Sequence, residues 1–298
     1  MSVLHQIIYS RTSRKSTNYL TEIIFRVSQK LLLKVSNPVV EANLYGFPFK
    51  VPFSHDLSKN LNKYPNYSWN LLKIAIWVNE TYPNTPIIDI GANVGDTVGL
   101  LRTAISNPIL CIEGSSDFFN LLLENISQFS QVEAILQLLG DANDAVKSEL
   151  LIKNGTAQVK NSIKLLSIKT LISVLEEYPN YIHSKLVKID TDGFDGFIVR
   201  GAVSWINEQK PYIFLEFDPF FLAAQGFPPT EIFDLFRCAS YKLVVFFDNY
   251  GNYLSTEKID NIDKLQLLVR KVTGFQGKRY YDLLFIPDEN LRNFPYNN

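Results

Sequence analysis

From Pro86 to Ile286, short apolar runs alternate with segments whose apolar residues recur at three and four. Strands alternating with helices in this way need crossover connections. The architecture that buries such strands is an α/β fold with a doubly wound, mostly parallel sheet. Strands are expected at 87–90, 108–112, part of 131–139, 185–190, 212–217, 242–247, 253–256 and 281–286, with one more in E-L-L-I of the polar tract 141–157. Helices are expected near 68–79, 95–104, 117–126, 170–178, 195–207, 229–238 and 259–272. The segment D-N-Y-G-N joins 242–247 to 253–256 as a hairpin, which gives the sheet an antiparallel C-terminal component. Upstream, 18–34 has helical spacing, 39–52 reads as an edge hairpin bending at Gly46, and 53–67 reads as irregular. The expected division is an N-terminal helical and hairpin extension over 1–79, covering the substrate side, and a core domain over 80–298.

Of the 298 residues 46% are hydrophobic, enough for a substantial core and against disorder throughout. The 29 basic and 30 acidic residues leave a net charge of -1, so no basic footprint for nucleic acid dominates. The first 34 residues carry six Lys or Arg and one acid, Glu22. That segment reads as a solvated helical extension, with peripheral contact to a membrane surface or a partner as the other reading. No apolar run is long enough for a signal peptide or a membrane span, so a cytoplasmic protein is expected. Cys111 and Cys238 both lie in apolar context and are expected as buried free thiols. No His/Cys set has zinc spacing, and no metal is expected.

The stretch I-I-D-I-G-A-N-V-G-D-T-V, Ile87 to Val98, runs from strand to turn to helix. Asp89 ends the strand, at the edge where α/β sheets bind ligands. Gly91 lets a ligand approach the main chain, and Gly95 relieves crowding where the helix begins. Asp89, Gly91, Asn93, Gly95 and Asp96 are therefore candidate cofactor-binding residues. Neither a phosphate loop nor G-x-G-x-x-G is present, and Asp89 and Asp96 would repel a pyrophosphate. A cofactor with a cationic end and no phosphate, such as S-adenosyl-L-methionine, fits better. Glu113, 24 residues after Asp89, closes the next strand, where a carboxylate can accept from both hydroxyls of a ribose. Gly140-Asp141 follows the third strand; Asp141 reads as an acceptor for an adenine amino group or as part of an ordinary turn.

The D-I-G-A-N-V-G-D-T block resembles the class I S-adenosylmethionine-dependent methyltransferases, especially the FkbM type. L-V-K-I-D-T-D-G-F-D-G, Leu186 to Gly196, is similar to that family's K-I-D-x-E-G-x-E block. The resemblance covers roughly 86–220, and P-F-S-H-D-L-S-K-N-L-N-K-Y-P-N-Y-S-W-N is similar to what precedes the core in some members. It implies a Rossmann-like methyltransferase sheet and O-methyl transfer to a hydroxyl of a sugar, glycan or secondary metabolite. It also implies that Asp89, Gly91, Asn93 and Gly95 form the cofactor turn, that Glu113 is the ribose acid and that Asp190 is the acidic end of the fourth core strand. Asp192 stands where the family has Glu, and Asp195 takes the second acidic position. Both are one methylene shorter.

Methyl transfer needs an aligned acceptor and a proton acceptor. Asp190, Asp192 and Asp195 lie at one strand end and the next helix start; base, substrate positioning, an oxygen-ligated cation and helix capping all suit such acids. Lys188 shares a strand face with Asp190. Glu216 and Asp218 end the next strand, and Glu216 is a candidate base. His55, among the upstream rings, is a candidate base or substrate ligand if that segment covers the sheet rim. His5 is expected on the surface and His183 at the non-functional end. Tyr45, Phe47, Phe49, Tyr64, Tyr67 and Trp69 read as packing or sugar-stacking rings. Ser115-Ser116 lacks a nucleophile elbow. The competing classes are an NAD-dependent oxidoreductase or epimerase and a non-catalytic interaction module.

Overall fold

The computed structural model describes residues 3–13, 19–64, 66–153, 156–275, 277–288 and 291–296; for 19–22 and 145–165 it describes the backbone alone. The strands in chain order are β1 (Val39–Leu44), β2 (Phe47–Pro52), β3 (Ile87–Ile90), β4 (Ile109–Glu113), β5 (Val132–Leu136), β6 (Leu138–Leu139), β7 (Asp144–Lys153), β8 (Thr156–Lys169), β9 (Leu186–Ile189), β10 (Tyr212–Phe217), β11 (Leu243–Asp248), β12 (Tyr253–Lys258) and β13 (Tyr281–Ile286). Eight form the main sheet, in the order β12-β11-β13-β10-β9-β3-β4-β5. From β5 to β10 neighbours run parallel. β13 is antiparallel to both β10 and β11, and β12 is antiparallel to β11. This is the mostly parallel, Rossmann-like sheet with an antiparallel terminal strand that the sequence pattern predicts.

Alternation of side chains assigns the two faces. Ile88, Ile90, Leu110, Ile112, Val187, Ile189, Ile213 and Leu215 pack on one face with the helices Leu171–Glu177, Asp195–Gln209 and Glu231–Cys238. Ile87, Ile109, Cys111, Leu186, Tyr212 and Phe214 pack on the other with Trp69–Thr81, Asp96–Leu101 and Ser116–Ile126. Both faces are dry, which is why the central strands read as apolar runs rather than alternations. Each fully buried large side chain here is worth ~1.5–3 kcal/mol.

β1 and β2 form a separate two-stranded sheet, turning through Tyr45 and Gly46. A third cluster, including Phe49, Val51 and Phe53, packs this hairpin against Val94, Phe118 and Leu121. Buried Asn125 fixes the joint. Its Oδ1 accepts from Lys50 N at 2.7 Å, and its Nδ2 donates to Lys50 O at 2.9 Å and Val94 O at 2.8 Å.

Several expectations are corrected. Helices Leu57–Lys63 and Pro219–Ala224 occupy segments not expected to be helical, and E-L-L-I lies within the ten-residue β7, paired with the unexpected β8. His5 is buried rather than exposed, because its ring meets Phe53 edge-on at 4.8 Å and its Nε2 contacts Ser36 Oγ at 3.1 Å. Cys111 is buried but Cys238 is exposed, since it ends the helix Glu231–Cys238 on its outer side. No helix among the described residues is long and apolar enough to cross a membrane.

Candidate functional site

A cavity of about 360 Å3 opens at the carboxyl ends of the parallel strands. Its wall includes Gly91, Asn93, Asp96, Glu113, Lys188, Asp190, Asp192, Glu216 and His55. Strand register explains the convergence. Asp89 lies opposite Lys188 in the β3–β9 pair, Lys188 lies opposite Phe214 in β9–β10, and Glu216 lies opposite Asp282 in β10–β13. All of these share the sheet face that carries Ile87, Leu186 and Phe214.

The glycine turn is closed on itself. Gly91 N and Ala92 N both donate to Ile112 O, at 2.9 and 3.2 Å, and Gly95 N donates to Ala92 O at 2.8 Å. Asn93 N donates to Glu113 Oε2 at 2.8 Å. With these N–H groups already engaged, the turn is no anion cradle. Gly91 has φ +77°, and a Cβ there would lie 1.8 Å from Asp190 O. The close approach that demands glycine is therefore the β9 end, not a ligand. Gly95 has φ +86°, and a Cβ there would meet Leu122 Cδ1 at 2.9 Å, which matches the crowding expected at that helix start.

Glu113 is held from both sides. Oε2 takes Asn93 N, and Oε1 takes Ser115 N at 2.7 Å. Burial raises its pKa, and the two backbone bonds oppose that rise. Each carboxylate oxygen can accept twice, so lone pairs remain for a ligand. The carboxyl is thus pre-oriented on the cavity wall. Glu113→Gln replaces one acceptor oxygen with an NH2 that faces a backbone N–H. A diol-bearing ligand is expected to bind about 10- to 100-fold more weakly, at ~1.4–2.8 kcal/mol for one charge-assisted pair. Calorimetric titration with S-adenosylhomocysteine checks this; an unchanged affinity removes Glu113 from the site.

Lys188 is the only Lys or Arg among the described residues of the wall. Its Nζ lies 3.2 Å from Asp89 Oδ1, 3.2 Å from Asp190 Oδ2 and 3.4 Å from Gly91 O. Burial works against its charge, but Asp190, Asp89 and Asp96 prevail and push its pKa up. Asp89 itself is fully buried beneath the turn, is not among the wall residues and pairs with Lys188. Burial lifts Asp96 to about 6, with Lys188 pulling it down.

Asp192 adopts φ +52° in the turn after β9, a conformation that a non-glycine residue seldom takes. Asp195 stabilises the turn from below, accepting from Thr191 N at 2.9 Å and Gly193 N at 3.0 Å. It is buried away from the cavity, and burial lifts it to about 6. His55 is buried and lines the wall; desolvation pushes its pKa down, opposed by a hydrogen bond that the imidazole donates to the Asn93 side chain. Tyr45 and Tyr67 also line the wall. Phe47 packs edge-on with Phe129 at 4.9 Å, Phe49 is buried near the same ring, Tyr64 stacks on Tyr250 at 4.1 Å, and Trp69 is 44% exposed.

Other candidates lie elsewhere. Asp141 does not line the cavity; its Oδ2 pairs with Arg200 Nη1 at 3.0 Å. Asp218 caps the helix Pro219–Ala224 by accepting from Phe220 N at 2.8 Å. His183 is exposed and contacts Gln209. The wall also contains residues that the sequence did not single out: Asn70, Gln137, Tyr280 and Asp282. A lone acid inside the apolar run Y-D-L-L-F-I was the one available signal for Asp282.

No family model matches the chain, and no curated protein matches it. Solved structures do. The chain is similar to a methyltransferase FkbM from Methylobacillus flagellatus KT, at 12% identity and a TM-score of 0.39, over 68% of this chain and 43% of that one. It thus spans less than half of that protein's length. It is similar to the METTL16 MTase domain at 13% identity and a TM-score of 0.45, over 92% and 83% of the two chains. It is also similar to an O-methyltransferase from Bacillus cereus in complex with SAH, at 11% identity and a TM-score of 0.39, over 73% and 79%.

Proposed function

We propose that the protein is an S-adenosyl-L-methionine-dependent methyltransferase whose acceptor is a hydroxyl of a sugar, glycan or secondary metabolite. The observation that carries this reading is Glu113: a buried carboxylate, fixed by two backbone N–H groups, facing a cavity beside a glycine turn that has no anion cradle. The donor set suits a ribose-bearing ligand without phosphate. The wall holds Asp96, Glu113, Asp190, Asp192, Glu216 and Asp282 against Lys188, a field that favours a cation.

When bound, S-adenosyl-L-methionine supplies an electrophilic methyl group on a sulfonium. In this reading Glu113 binds the ribose hydroxyls, and the turn Gly91–Asn93 with Asp96 and Asp190 bounds the charged end. Lys188 locks Asp190 in place and tempers the repulsion among the acids. Residues 1–79 form the cover and 80–298 the binding domain, with Tyr45, His55, Tyr67 and Asn70 among the cover's contributions to the wall. They restrict water and orient the acceptor. Asp190, Asp192, Glu216 and His55 are the groups placed to touch the acceptor.

Calorimetry with S-adenosylhomocysteine and with NAD tests the reading. Saturable one-to-one binding of S-adenosylhomocysteine and none of NAD is the expected result. Binding of NAD alone would replace the reading with an oxidoreductase, and binding of neither would leave an interaction module. A labelled-methyl screen over sugars, glycolipids and hydroxylated metabolites then identifies the acceptor.

A further inference from the structure

The ribose-facing acid and the far wall of the cavity are several strands apart. From β4 to β10 is three strand spacings and to β13 four, or ~14 and ~19 Å at ~4.8 Å per strand. Glu216 and Asp282 therefore belong to the acceptor end. They stand directly opposite each other across β10 and β13, and both line the cavity. Opposed residues in an antiparallel pair bring their Cβ atoms to ~5 Å, close enough for two carboxyl groups to interact strongly.

Their surroundings separate them. Asn70 Nδ2 donates to Asp282 Oδ2 at 2.9 Å, which fixes the rotation of that carboxyl and favours its charged form. Oδ1 has no hydrogen-bond partner among the described residues. Glu216 has none for either oxygen among them. It feels the charges of Asp190, Asp192, Asp195 and Asp282, and Asp282 stands directly opposite it. A proton shared by the pair therefore rests on Glu216 and leaves Asp282 as the carboxylate. Asp190 is less free to act, because Lys188 holds it at 3.2 Å.

We propose, on the methyltransferase reading above, that Asp282 is the general base of the site and Glu216 its protonated partner. The acceptor oxygen forms its bond to the methyl carbon, the electrons of that carbon's former bond stay with its carrier, and the hydroxyl proton passes to Asp282 Oδ1. One positive charge on the carrier and one negative charge on Asp282 are lost together, so the step balances.

The titration behaviour agrees. Burial pushes Asp282 up to about 7; Asn70 and Lys188 pull it down, and Asp190 and Asp248 push it further up. Burial and the four neighbouring acids push Glu216 well above the usual carboxylate range. The adjacent phenols of Tyr67 and Tyr280 are pushed up as well and stay neutral. A base poised near neutrality suits proton removal at physiological pH.

Carboxyl NMR of the 13C-labelled full chain, with no ligand added, tests the pair independently of the methyl donor. The Asp282 signal, identified by its loss in Asp282→Asn, is expected to titrate near pH 7 and to stay there in Glu216→Gln, because Glu216 is already neutral in that range. The Glu216 signal is expected to move down in Asp282→Asn. An Asp282 midpoint below 5 in either the parent or Glu216→Gln overturns the assignment. With the acceptor in hand, Asp282→Asn should lower kcat by about 100-fold or more and Glu216→Gln by less than about tenfold. S-adenosylhomocysteine affinity should stay within about threefold for both. A larger loss in Glu216→Gln than in Asp282→Asn reverses the roles and sinks the proposal; loss of S-adenosylhomocysteine binding by the parent protein would instead sink the donor reading.

Discussion

Gly91→Ala is expected to unfold the site and lower stability by more than ~3 kcal/mol. Two costs combine. The backbone sits at φ +77°, which costs an L-residue ~1–2 kcal/mol. The added Cβ would also lie 1.8 Å from the Asp190 carbonyl oxygen, a backbone atom of the neighbouring strand's end that cannot rotate away. Relief requires β3 and β9 to separate, and their register aligns Asp89 with Lys188. Gly226→Ala is the matched control. It has φ +83° and nothing within 4 Å of the added carbon, so only the conformational cost applies, ~1–2 kcal/mol. Urea midpoints for the two variants measure the difference. Equal midpoints would show that the collision is absorbed and that Gly91 serves the turn alone.

Lys188→Met is the second large effect. The change keeps the aliphatic stem and removes the charge, leaving the fully buried Asp89 and its neighbour Asp190 without their shared cation. Breaking one partner of a buried pair typically costs ~3–5 kcal/mol. The sign with pH follows from Asp89. Burial already raises its pKa above the unfolded value, with Lys188 as the largest opposing influence. Without Lys188 it rises further, so the native state of the variant binds a proton that the unfolded chain has released. Stability of the variant is then greatest below the unfolded carboxylate pKa near 4 and falls as pH climbs through the raised folded value. The defect should shrink at pH 4.5 and widen toward pH 8 in denaturation curves taken at both. A defect that is constant with pH would mean that Lys188 acts by packing rather than charge.

The central sheet was legible because its strands are buried on both faces. Runs such as I-I-D-I and I-L-C-I leave no alternative burial, and Y-I-F-L-E-F and Y-D-L-L-F-I are placed to the residue. Helix Leu57–Lys63 was not legible: L-S-K-N-L-N-K offers two leucines on one short turn of an otherwise polar stretch. β8 lies in a mixed polar sequence, and its partner is a neighbouring hairpin strand, so its apolar pattern is weak. Glu113, Asp190, Asp192, Glu216 and His55 do converge on one cavity, since the carboxyl ends of parallel strands share a rim. Asp89 and Asp141 do not reach it. What the sequence could not show is which strands become neighbours. That information decides why Gly91 is glycine, and it alone sets Asp282 beside Glu216.

The two ends of the cavity are assembled on different scales of the chain. The end around Glu113 draws on Asn93, Gly114, Ser115 and Gln137, residues close together in sequence. The end around Asp282 is closed by segments far apart: Asn70 reaches Asp282 across 212 residues, Asn66 meets Asn252 at 2.9 Å, and Trp77 Nε1 donates to Arg292 O at 2.9 Å. Contacts of such separation carry the larger loop-closure entropy. The Glu113 end therefore carries the smaller closure cost, and the Asp282 end opens when the segment around Asn66–Trp77 parts from the segments around Asn252, Asp282 and Arg292. A chain built this way can form its Glu113 wall in a half-assembled cavity, while the Asp282 wall must wait for the whole fold.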